Sequence, residues 1–124
     1  MYKWLLAQSL ALAVALCWPM PLSIATRAVG HPEGDGPKHL WTLWWMRHGD
    51  LGYTRWVNFP DGMPLYPIEP LNGLAALVLP LGVVGLSNVL AMVHLVLLGL
   101  CAGWLGWLLT GERGGMHVAA ALAQ

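Results

Sequence analysis

The chain has 124 residues, 57% of them hydrophobic and 10% charged, with a mean hydropathy of +0.59. Water-soluble domains carry about 25% charged residues, and one core of this size cannot hide so much apolar surface from water. Six Lys and Arg balance six Asp and Glu, which removes the electrostatic footprint of a nucleic-acid binder. The apolar excess excludes disorder. Cys17 and Cys101 both lie in apolar runs, so neither a disulfide framework nor a zinc knuckle is on offer. The composition predicts a small all-α integral membrane protein, or a piece of a larger one, with the lipid bilayer as its first partner.

The first apolar block, Trp4 to Ile24, carries no charge. As a helix it reaches about 31 Å, enough to cross a bilayer core, so residues 1–25 are expected as transmembrane helix 1. A cleaved signal peptide, with Lys3 as its basic start and Ser23-Ile24-Ala25 as its cleavage site, is the competing reading. Pro19 and Pro21 favour a helix that bends as it leaves the membrane.

Residues 26–70 form a polar insert. Five of the six acids, four of the six Lys/Arg and three of the five His fall between Arg27 and Glu69. Gly30 to Pro37 reads as a tight turn, after which Pro37 suits the first position of a helix and Gly49 the residue after its end. Over about 37–48, Trp41, Trp44, Trp45 and His48 share one face, which predicts an amphipathic helix anchored by its tryptophans at headgroup level. Asn58 to Pro70, with four prolines and an Asp61-Gly62 turn, reads as an extended loop.

The second block, Leu71 to Leu109, is too long for one span and breaks at Ser87-Asn88. A hairpin of arms 71–86 and 89–109 is expected, the first short, loosened by Pro80, Gly82 and Gly85, and either tilted or partly re-entrant. Residues 111–124 then form a loop and the start of a further helix. Gly99, Gly103 and Gly106 predict close packing against a neighbouring helix. The expected architecture is therefore three transmembrane helices, with a large loop carrying an interfacial helix between the first and second.

Several side chains could carry chemistry. Glu33-x-Asp35 can converge on one divalent cation, Mg or Mn, or on one hydroxyl proton; alternatively, Asp35 only complements the positive end of a helix. Glu69 is the last charge before the second block, where partial desolvation suits a carboxyl to acid–base work, and a first-turn acid is the equal alternative. Lys38 and His39, at a helix start, together with Arg47 and Arg55, could hold a phosphate or lipid headgroups. Arg47 and Arg55 could equally pair with Asp50. His94, inside the best span, is either functional or a neutral imidazole bonded to a neighbouring helix.

The order of these features carries a resemblance. An apolar helix ends in Trp18-Pro19, and Gly34-Asp35-Gly36-Pro37 follows with Trp41 and Trp44-Trp45 close behind. Asn58-Phe59-Pro60, Tyr66-Pro67-Ile68-Glu69-Pro70-Leu71-Asn72-Gly73-Leu74, a Pro80-bearing helix and Ser87-Asn88 complete it. Over essentially all 124 residues this resembles the N-terminal region of bacterial polytopic glycosyltransferases of the GT-C superfamily.

The resemblance implies transfer of a sugar from a polyprenyl-phosphate carrier to an acceptor at the outer face of the bacterial inner membrane. Asp35 would be the catalytic acid, Glu33 its partner and metal ligand, and Glu69 a second loop acid near the carrier phosphate. It also implies a cytoplasmic N-terminus and an extracytoplasmic loop 26–70, whereas Lys/Arg counting alone would place the loop inside. Enzymes of this kind have many more spans. The expectation is thus the N-terminal part of a longer or split enzyme, inactive alone and completed by helices of the remainder or of a partner chain. The alternative is a small non-catalytic membrane subunit that packs through its glycine face and tryptophan helix.

Overall fold

A computed structural model of the chain describes residues 2–29, 33–48, 53–55, 57, 60–64 and 70–124. Five helices and one small hairpin follow in order: α1 Tyr2–Leu16, a 3₁₀ turn Met20–Ser23, α2 Gly36–His48, β1 Tyr53–Thr54, β2 Met63–Pro64, α3 Pro70–Val78, α4 Val83–Thr110 and α5 Arg113–Ala123. They divide into two compact units, Met1–Ser23 with Val89–Gln124, and Ile24–Asn88.

In the first unit, α1 is built from strong helix formers, mostly Leu and Ala. It stops at Leu16 because Pro19 has no N–H to donate and biases Trp18 away from helical angles. A 3₁₀ turn carries the chain on, with Leu22 N–H donating to Pro19 O at 3.1 Å. The expected 21-residue helical span is therefore 15 residues of α-helix and a turn.

α4 has 28 residues, about 42 Å of helix, and an 18-residue stretch of it reaches a mean hydropathy of 2.2. Among the described residues, α4 alone is long and apolar enough to cross a membrane, where three spans were expected. It ends at Gly111, whose φ of +70° is open to glycine without a Cβ penalty. Gly111 N–H bonds Trp107 O at 2.8 Å, and Thr110 Oγ donates to Gly106 O at 2.8 Å.

The glycine face of α4 is used inside this unit. A Cβ on Gly103 would sit 2.7 Å from Leu5 Cδ1 and 3.1 Å from Met116 O, and one on Gly106 would sit 2.6 Å from Ala119 Cβ. These glycines let α1 and α5 approach the α4 backbone. Leu5, Met116 and Ala120 form the buried centre, with Leu100 and Trp107 packed against it. As α1 and α5 ascend in number, their α4 neighbours descend, so α4 runs antiparallel to both. Polar bonds join α1 to α5: Gln8 Nε2 donates to His117 O at 2.9 Å, and His117 Nδ1 donates to Gln8 Oε1 at 2.5 Å. Gln124 Nε2 reaches Ser9 O at 3.2 Å and Leu95 O at 2.7 Å.

The outside of these helices is greasy. Trp4, Leu22, Leu109 and Leu122 are each more than 70% exposed. His94 is also exposed on α4.

The second unit packs α2 on α3. Leu43, Trp45 and Met46 are buried on α2, and Met46 Cε lies 2.5 Å from where a Cβ on Gly73 would stand. β1 and β2 pair antiparallel, Tyr53 with Pro64 and Thr54 with Met63, where the sequence suggested only extended loop. The Asp61-Gly62 turn closes them, with Gly62 at φ +71° and Tyr53 Oη donating to Asp61 O.

The helix break lies at 79–82, and Ser87-Asn88 sits inside α4, so the expected hairpin arms 71–86 and 89–109 are corrected to α3 and α4. Pro80 cannot donate to the preceding turn, which ends α3. Asn88 does not break its helix because its side chain bonds elsewhere, to backbone more than fifty residues away. Its Nδ2 donates to Ile24 O and Arg27 O, both at 2.7 Å, and its Oδ1 accepts from Val29 N–H at 3.0 Å. Asn88 is fully buried.

Candidate functional site

The described part of the site is the head of α2. Glu33, Gly34 and Asp35 form the turn before the helix and all are exposed. Asp35 O accepts the first helical bond, from His39 N–H at 3.0 Å. Pro37 follows without cost, because the first-turn N–H it lacks has no intrahelical partner. Lys38 and His39 are exposed in that first turn, and Lys38 O accepts from Thr42 Oγ at 2.9 Å. Two carboxylates therefore stand beside a helix start that offers backbone donors and a cation, an arrangement able to address both a hydroxyl proton and a phosphate.

No group of three or more His, Cys, Asp or Glu gathers around a common point among the described residues. A hard cation such as Mg takes one or two carboxylates and fills its shell with water and phosphate; Glu33 and Asp35 supply two carboxylates two residues apart in this exposed turn. Glu69, the second expected acid, lies outside the described residues, as does Asp50, the alternative partner of Arg47 and Arg55.

Arg47 is not available to a phosphate or a headgroup. Its Nε donates to Ala76 O at 2.6 Å, its Nη2 to Leu79 O at 2.7 Å and its Nη1 to Leu81 O. The guanidinium caps the end of α3 and the irregular stretch after it, because its planar fork can reach several carbonyls at once. Arg55 is exposed beside the hairpin, leaving Lys38, His39 and Arg55 as the described cationic candidates.

The three tryptophans separate by burial. Trp45 is 1% exposed, so it belongs to the protein interior, not to a membrane-anchoring face. Trp41 is half-buried and stacks on it, centroids 6.4 Å apart. Trp44 is exposed and stacks on His48 at 5.0 Å, while His48 Nδ1 contacts Trp44 O at 2.8 Å.

Sequence reasoning missed Asn88 as a structural clamp, having treated it as a helix breaker. It also passed over Gln8 and His117 as interhelix groups. The signal was present: a polar side chain within an apolar run must find partners inside the fold. Compared with known proteins, the chain matches no family model, no curated protein and no solved structure.

Proposed function

We propose that this chain is the N-terminal, membrane-embedded part of a GT-C-type glycosyltransferase that moves a sugar from a polyprenyl-phosphate carrier to an acceptor at the outer face of a bacterial inner membrane. The observation that supports it is the exposed Glu33–Asp35 turn at the head of α2, in a polar segment flanked by helices with apolar exteriors. The resemblance in residue order supports the same reading.

In this reading Asp35 accepts the proton of the acceptor hydroxyl or amide as that group attacks the anomeric carbon. The bond from that carbon to the phosphate oxygen breaks, and polyprenyl phosphate leaves. Lys38, His39 and the α2 backbone donors hold the departing phosphate, joined by Arg55. A divalent cation, when bound by Glu33 and Asp35, would neutralise phosphate charge. Glu69 serves as the second loop acid. Further spans, from the same polypeptide or a partner chain, enclose the lipid-linked donor. The alternative, a non-catalytic subunit, loses part of its expected docking surface because α1 and α5 already cover the glycine face.

Asp35→Asn, introduced at the native locus, is expected to lower sugar transfer from polyprenyl-linked donors in isolated membranes by roughly 100-fold or more, the scale of a general base. Protein level should be unchanged. Transfer within a fewfold of the parent would reject Asp35 as the base.

A further inference from the structure

α3 spans nine residues, Pro70–Val78, or about 13 Å of helix against a hydrocarbon core of about 30 Å. It cannot cross a membrane. Apart from the half-buried Asn72, its accessible side chains are nevertheless apolar: Leu71 is 77% and Val78 70% exposed, with Leu74 and Leu77 also exposed and Leu79 and Leu81 extending the surface. Leu71, Leu74 and Val78 fall on one helical stripe. Ala76 is buried, and Gly73 faces Met46 of α2. No charged residue occurs from 70 to 88.

The backbone at 79–82 is non-helical. Such backbone is tolerated at membrane depth only where protein groups satisfy it, because hydrocarbon offers no hydrogen bonds. Here Arg47 supplies three donors, to the carbonyls of Ala76, Leu79 and Leu81. In the chain, residues 79–82 lead directly into α4, the helix long and apolar enough to cross a membrane. An apolar face without charge, continuous with a membrane helix and ending in carbonyls capped by protein, suits acyl chains rather than water.

We infer that α3 and residues 79–82 form a re-entrant wedge that enters one leaflet to partial depth, its outer stripe covered by lipid acyl chains and its open end closed by Arg47 at the interface. This rests on the membrane reading above.

The test uses the full chain, with Cys17→Ser and Cys101→Ala, reconstituted in phosphatidylcholine–phosphatidylglycerol vesicles. Single Leu74→Cys, Leu98→Cys and Asp61→Cys variants carry an environment-sensitive fluorophore, and lipids carry spin labels near the headgroup or at the chain end. The expected result is a blue-shifted Leu74 probe quenched most by headgroup-proximal labels, a Leu98 probe quenched by chain-end labels, and an Asp61 probe quenched by neither. Leu71→Cys should repeat the Leu74 result. A Leu74 probe open to aqueous iodide, with Leu98 quenched by lipid, would overturn the wedge and leave the membrane reading standing. Deepest quenching of Leu74 by chain-end labels would overturn partial depth. A Leu98 probe untouched by lipid labels would remove the membrane reading itself.

Discussion

Asn88→Ala should destabilise the chain by about 3 kcal/mol, because it strands two carbonyls and one N–H that have no other partner on the truncated side chain. The clamp is tight: Ile24 O, Arg27 O and Val29 N–H all meet one carboxamide at 2.7, 2.7 and 3.0 Å. A net hydrogen bond contributes only about 1 kcal/mol, but an orphaned, partly buried backbone group costs about 1–3. Asn88→Asp is the informative companion. It keeps the acceptor for Val29 N–H yet sets a carboxylate against two carbonyls, so it should be at least as damaging. Unfolding in detergent followed by circular dichroism measures the loss. Trypsin reports it locally, since Arg27 is exposed and cleavage after it should accelerate once residues 24–29 are released. An Asn88→Ala chain with parental stability and an equally protected Arg27 would show the clamp to be energetically idle.

Arg47→Gln should cost about 2 kcal/mol. Charge-assisted bonds contribute about 1.5–3 kcal/mol each when buried, and partial exposure of this guanidinium lowers the total through solvent screening. The geometry makes the choice of cation matter. Three separate nitrogens serve three carbonyls spread from Ala76 to Leu81, which one Lys ammonium cannot span. Arg47→Lys should therefore recover no more than a minor part of the loss, and hydrogen exchange at the start of α4 should quicken in both variants. Equal stability of Arg47→Lys and the parent would mean that charge alone, not the fork, closes the end of α3.

These two residues mark the boundary of what the sequence discloses. Apolar runs marked stretches that contain α1 and most of α4, and breakers marked the turn at Gly111, but neither the end of α1 nor the start of α4 was placed. Pro37 marked the start of α2 to within a residue, and Asp61-Gly62 the positive-φ turn. Those features are local, governed by propensity and by the few residues able to take left-handed angles.

Asn88 and Arg47 act through backbone groups tens of residues away, and no local pattern reveals such partners. Ser87-Asn88 therefore looked like a break, while Pro80, whose missing N–H is a local defect, was the actual one. Arg47 was assigned to a phosphate, to headgroups or to Asp50, because a charge in a polar insert ordinarily meets another charge, whereas its partners are backbone carbonyls. The spacing of Gly99, Gly103 and Gly106 announced close packing without saying against what, and the structure supplies α1 and α5. At the site, Asp35 and Glu33 were legible as exposed turn residues, whereas the burial of Trp45 depends on α2 packing that residue spacing alone did not resolve.

The proposal rests on α4 crossing a bilayer, so that the chain before it and the α4–α5 turn after it would meet opposite faces. Thiol labelling in intact cells tests it most directly, using Asp61→Cys and Glu112→Cys in a chain with Cys17 and Cys101 replaced. A membrane-impermeant maleimide should modify Asp61→Cys in intact cells and reach Glu112→Cys only after permeabilisation. The reverse order, or equal labelling of both positions in intact cells, would contradict the account.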